Sequence, residues 1–152
     1  MAGPESRFLV PPVYFLVALL LMGFFHRAAP WVQVIQAPYR YAGIVIMGLS
    51  LCLIVWAALL FRLAGTSIRP FLPSTALVAA GPYRFTRNPM YLGMAGILLG
   101  AALYMGSITP FIVIPAFMAL IAERFIVPEE AKLEAAFGRD YLDYKARVRR
   151  WL

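Results

Sequence analysis

The chain has 152 residues, of which 62% are hydrophobic and 14% charged, against ~45–50% and ~25% in soluble domains. Its mean hydropathy is +0.78, and a single domain of this length cannot hide so much apolar side chain from water. The composition points to a membrane protein and excludes a soluble globule, a disordered chain, a disulfide scaffold and a coiled coil. A net charge of +7 would suggest nucleic acid in a soluble protein. In a membrane protein it reads as basic residues held on one face against anionic headgroups, so no nucleic-acid partner is expected. The single cysteine, Cys52, can form no internal disulfide.

Four apolar stretches come near the ~20 residues that a helix needs to cross hydrocarbon. They run from about Phe8 to Phe25, Tyr41 to Phe61, Met90 to Met105 and Ile108 to Val127. The first is followed by bulky and basic residues rather than a small-residue cleavage site, so it is expected to be retained. Pro11, Pro12 and Pro110 fall near the starts of spans, where a missing amide donor costs little. With four spans, both termini and the second loop share one side, and of the 14 basic residues only Arg27 and Arg40 fall on the other. That asymmetry puts both termini in the cytoplasm. The last two spans, joined only around Gly106 and Ser107, should form a tight hairpin. Gly96 and Gly100 make a small-xxx-small pair suited to close helix packing within the chain.

The expected architecture is therefore an all-α integral membrane domain of about four transmembrane helices with a cytoplasmic amphipathic C-terminal helix. Residues 1–61 carry two spans, 62–89 a cytoplasmic loop, 90–127 the hairpin and 128–152 the C-terminal helix. The loop is rich in glycine, proline and hydroxyls, and at its length such a connection is often functional. Asn88-Pro89 reads as a helix entry, with Asn88 as N-cap and proline at the first helical position. Pro128-Glu129-Glu130 reads as a second helix start, with acids at the positive end of the dipole. Beyond it, Leu133, Phe137, Tyr141, Tyr144, Val148 and Trp151 form one apolar stripe, suited to lie on the membrane surface or cap the bundle. Gly138 either divides that helix or merely dents it.

His26 is the only histidine, and it falls on the face away from the polar loop. A histidine zinc site and a Ser-His-Asp arrangement are therefore not expected, and no metal is assigned. No glycine-rich phosphate cradle occurs. What remains is Tyr83, Arg84, Arg87, Asn88 and Tyr91 at one helix mouth, with Glu123, Arg124, Glu129 and Glu130 at another. These residues alone indicate a polar site at the cytoplasmic surface and name no reaction.

Four blocks in order carry a resemblance: Gly81-Pro82-Tyr83, Arg87-Asn88-Pro89-Met90-Tyr91, Glu129-Glu130, and Phe137-Gly138-Arg139-Asp140-Tyr141-Leu142-Asp143-Tyr144. Over about Thr75 to Trp151 the chain resembles the integral-membrane methyltransferases, which include isoprenylcysteine carboxyl methyltransferases and phospholipid N-methyltransferases. The resemblance implies S-adenosylmethionine as cofactor, with S-adenosylhomocysteine as product, in a cytoplasmic pocket closed by the last helices. It implies cofactor contacts from Thr75, Ala76, Leu77, Val78, Gly81, Tyr83, Asn88, Pro89, Met90, Tyr91 and Glu129. Arg87, Glu130 and Tyr91 are the expected catalytic residues, with Glu130 or Tyr91 taking a proton where the acceptor is an ammonium.

Two positions depart from the family. Asn88 stands where histidine is usual, which keeps a donor and an acceptor but removes titration near neutral pH. Phe125 stands where prenylcysteine enzymes carry a substrate-binding arginine. Its neighbour Arg124 is turned by about 100° on a helix, so Arg124 and Phe125 mark the expected substrate position. The expected reaction is methyl transfer to a lipid-like or small hydrophobic acceptor. A phospholipid amine stands ahead of a prenylcysteine carboxylate or a small thiol. The alternatives are a nicotinamide-dependent membrane reductase and a non-catalytic membrane adaptor. The expected partners are membrane lipids, and the oligomeric state stays open.

Overall fold

The computed structural model describes residues 10–29, 32–65 and 77–152. Thr75 and Ala76 lie outside the described residues. The elements are α1 (Pro11–Ala28), α2 (Ala42–Leu63), α3 (Pro89–Met105), α4 (Val113–Ile121), α5 (Val127–Phe137) and α6 (Arg139–Arg147). No strand occurs among the described residues; an isolated bridge joins Gln33 to Ser107. The all-helical membrane class is as expected.

Among the described residues, three helical stretches are long and apolar enough to cross a membrane: Pro11–Ala28, Tyr39–Leu63 and Thr109–Phe137. The third expected span is the shorter α3, at 17 residues, the lower limit for crossing ~30 Å of hydrocarbon. It lies against α2, and glycine makes the approach possible. A Cβ on Gly100 would stand 2.5 Å from the Gly43 carbonyl oxygen, and one on Gly93 would stand 2.5 Å from Ile54. Gly96 faces the Ser50 side chain in the same way. The small-residue groove is filled by α2 of the same chain.

α3 ends at Gly106, whose φ of +80° is left-handed and whose amide returns to the Ala102 carbonyl. The Gly106 carbonyl then accepts from the amides of Val34 and Ile35 at 2.8 and 3.1 Å. His26 Nδ1 meets Ser107 Oγ at 2.7 Å, which ties the end of α1 to the same turn. The main core beneath is apolar: Met22, Leu98, Phe117, Ile121, Phe125 and Ile126 are all buried in one cluster.

The expected helix start at Pro128 is corrected by the structure. Thr109–Phe137 is one continuous helical stretch of 29 residues, with a π turn at Ala122–Ile126. There the Val127 amide reaches back five residues to the Ala122 carbonyl. The wider turn absorbs the proline: Pro128 has no amide to give, and its ring would crowd a carbonyl of the preceding turn in a regular helix. At ~1.5 Å per residue the stretch is about 44 Å long, so its last turns project beyond ~30 Å of hydrocarbon. Glu129 and Glu130 stand on that projecting part.

Gly138, at φ +53°, ends α5 and starts α6, so the tail is two helices. Their stripe turns inward. Tyr141, Tyr144 and Val148 are buried together with Leu77, Leu133 and Phe137 packed around them. Trp151 leaves the stripe and packs against the main core.

Candidate functional site

The C-terminal end of α2, the start of α3, the π turn with α5, and α6 converge on one cleft. Its empty space, open mouth included, is about 720 Å3. Each element delivers its side chains for a local reason. Gly81, at φ +57°, turns the chain so that Pro82 and Tyr83 are buried, and Tyr83 packs on Phe61 with ring centroids 5.3 Å apart. Pro89 starts α3 and sets Tyr91 on its first turn.

The structure brings most of the expected residues together. Leu77, Val78 and Tyr83 line the cleft from the loop side. Arg87, Asn88, Pro89, Met90 and Tyr91 line it from the mouth of α3, and Glu129 and Glu130 from α5. Gly81 stands behind the wall, where an added Cβ would strike Leu60. Arg124 is exposed, and Phe125 is buried in the core against the Tyr14 ring. Neither lines the cleft.

Glu130 is the best-fastened group. Arg150 grips it side-on, Nε to Oε1 at 3.0 Å and Nη2 to Oε2 at 2.8 Å. Arg87 Nη2 lies 3.3 Å from Oε1. The pairing with the Glu130 carboxylate raises the pKa of Arg150 further. Backbone contacts sew the same strip down. The Arg87 amide donates to the Arg149 carbonyl at 2.9 Å, and Thr86 Oγ1 and Asn88 Nδ2 both donate to the Arg150 carbonyl, at 3.2 and 3.0 Å. Asn88 occupies the N-cap position without a side-chain cap bond; its side-chain NH2 points to the tail instead. The expected capping role is corrected to a cross-chain tie.

The Tyr144 hydroxyl donates to the Tyr83 carbonyl at 2.7 Å, a buried bond. Burial pushes the Tyr144 phenol up to about 12, with Tyr141 adding to the effect. Burial raises Tyr83 beyond that, with Glu129 next in effect, and burial also raises Tyr141, which faces Glu130 and Arg87. These phenols are neutral at physiological pH. Tyr91 and Glu129 stand together in the lining of the cleft.

Three polar atoms on the cleft residues are buried without a hydrogen-bond partner: the Tyr83 hydroxyl and Arg87 Nε and Nη1. Buried polar groups are costly to leave unpaired, so the arrangement suits a polar ligand that accepts from a guanidinium and a phenol. Among the described residues no group of three or more His, Cys, Asp or Glu side chains could hold a metal. Sequence reasoning gave no site role to Phe61, Ile126, Leu133, Tyr141, Tyr144 or Arg150. The period of the stripe picked out Leu133, Tyr141 and Tyr144; Arg150 carried no signal apart from its charge.

A family profile described as phospholipid methyltransferase matches residues 39–140. An uncharacterized protein of Haemophilus influenzae is 40% identical over 63 residues, which are 41% of this chain and all of that protein. The fold is similar to the solved structure of a eukaryotic intramembrane Ras methyltransferase, isoprenylcysteine carboxyl methyltransferase. The TM-score is 0.65 at 21% identity, over 99% of this chain and 53% of that one. This chain thus spans about half the length of that structure.

Proposed function

We propose, from the premise that this chain belongs to the phospholipid methyltransferase family, that it transfers a methyl group from S-adenosylmethionine to a lipid-like amine at the cytoplasmic membrane face. The observation that carries the reading is the convergence in one cleft of Glu129, Tyr91, Tyr83 and Arg87, with unmet donors on Tyr83 and Arg87. The residues fit the cofactor. The free nitrogens of Arg87 suit its carboxylate, Glu129 suits its ammonium or ribose hydroxyls, and the aromatic faces suit adenine or sulfonium. Leu77 and Val78 supply the loop side of the pocket.

When bound, the cofactor supplies an electrophilic methyl on a cationic sulfur. The protein's work is to align donor and acceptor and exclude water. Phe61, Ile126 and Leu133 give the cleft an apolar wall. An ammonium acceptor must first lose a proton, and Glu129 is the base that ends up holding it: the Tyr91 hydroxyl, or a water, accepts the acceptor's proton as it passes its own to the Glu129 carboxylate in the same cleft. The oxygens of Glu130 are engaged by two guanidiniums, so we assign Glu130 to positioning and not to proton transfer. The exposed Arg124 and the core residue Phe125 present no cation to an acceptor carboxylate from this helix, which favours an amine over a prenylcysteine.

Titration calorimetry of the purified protein should show S-adenosylhomocysteine binding, and Glu129→Gln should weaken it about tenfold. Isotope-labelled methyl should appear in phosphatidylethanolamine vesicles incubated with the enzyme and methyl donor. Wild-type protein that binds no S-adenosylhomocysteine would overturn the reading. Binding without lipid labelling would remove the amine acceptor.

A further inference from the structure

Two guanidiniums compete for one carboxylate at the cleft. Arg150 spans both oxygens of Glu130, Nε to Oε1 at 3.0 Å and Nη2 to Oε2 at 2.8 Å. That leaves Arg87 a single end-on contact, Nη2 to Oε1 at 3.3 Å. A lone arginine beside a carboxylate takes the two-point fork, which is stronger and directional. Here the fork is already occupied. As a result Nε and Nη1 of Arg87 are left without partners, on a side chain only 10% exposed that lines the cleft. Glu129, which lines the same cleft, does not meet either nitrogen. Arg150 is itself fixed by its backbone, whose carbonyl accepts from Thr86 and Asn88.

We propose that Arg150 is a positioning residue: by occupying Glu130 it keeps Arg87 from collapsing onto that carboxylate and holds two of its N–H groups toward the amino-acid carboxylate of the methyl donor. This rests on the cofactor reading above. It assigns Glu130 a paradoxical part, as an anchor for Arg150 that becomes an inhibitor of binding once Arg150 is removed.

The experiment uses the full chain in detergent and two ligands. S-adenosylhomocysteine carries the amino-acid carboxylate; 5′-methylthioadenosine keeps the nucleoside and thioether and lacks it. Arg150→Ala should weaken S-adenosylhomocysteine about tenfold and leave methylthioadenosine unchanged. Adding Glu130→Gln to Arg150→Ala should restore S-adenosylhomocysteine to within about threefold of wild type, because a neutral amide no longer captures Arg87. Arg147→Ala, which removes an exposed charge bonded only to the Asp143 carbonyl, should change neither ligand. A latch that merely holds the fold predicts otherwise: both ligands weaken together, and the second substitution adds to the damage. Either of those results overturns the proposal, as does unchanged S-adenosylhomocysteine binding in Arg150→Ala. If the wild type binds neither ligand, the cofactor reading falls and this inference with it.

Discussion

Tyr144 shows how one side chain joins the tail to the site. Its hydroxyl donates to the Tyr83 carbonyl at 2.7 Å, and the same Tyr83 presents an unpartnered hydroxyl at the cleft. Tyr144→Phe leaves a buried carbonyl without its donor, at a cost of about 1–3 kcal/mol. The expected result is faster hydrogen exchange through α6 with the bundle amides unchanged. The pH dependence follows from the sign of the shift. A phenol pushed up to about 12 in the fold, against ~10 free, adds stability that is fully present below the free value. That stability is lost as pH rises through the folded one. Protection of α6 in the wild type should therefore hold level from roughly pH 6 to 9 and fall above ~10, a fall that is smaller in Tyr144→Phe, where Tyr141 still titrates. Asn88 makes a parallel point: its side-chain amide donates to the Arg150 carbonyl. The residue type suits a permanent tie better than a titrating group would.

At the scale of elements, the π turn at Ala122–Ile126 and Pro128 explain one another. A π turn is one residue inserted into an α-helix. Deleting Glu123, which is exposed, should restore regular α spacing and bring the Pro128 ring against a carbonyl of the preceding turn. The expected loss is about 3 kcal/mol, read as a lower unfolding temperature in detergent. Combining the deletion with Pro128→Ala should recover most of that loss. Recovery would fail if the π turn served only to bulge Phe125 into the core. This region is also where the sequence misleads. Proline followed by two acids looks like a helix start, since nothing local distinguishes a new helix from a continuing one with a widened turn. Signals with a fixed period were legible: the glycines of α3 and the tyrosine stripe of α6 appear where spacing put them. The Arg150–Glu130 contact was not legible, because it joins positions 20 residues apart across a chain reversal that only tertiary packing at Gly138 determines. Nor was the core position of Phe125, which depends on the phase of the π turn.

Over the whole molecule, the cleft sits at one end of the bundle and a polar turn closes the other. Arg62, Arg84, Arg87, Lys145, Arg149 and Arg150 belong to the cleft end by their place in the chain, while Arg27 and Arg40 stand at the far end. There Arg40 lies over the Tyr104 ring, 4.7 Å from its centroid, which keeps one of the two cations on that side occupied. With the positive-inside bias, this split is what supports the proposal that the cleft faces the cytoplasm. Sidedness can be read directly. In a Cys52→Ser background, cysteine placed at Arg147, exposed on α6, should react with a membrane-impermeant maleimide only after cells are opened. Cysteine placed at Tyr39, 77% exposed at the far end, should react in intact spheroplasts. The reverse pattern would put the cleft outside the cell, away from any cytoplasmic methyl donor, and would end the functional reading however well the purified protein bound its ligand.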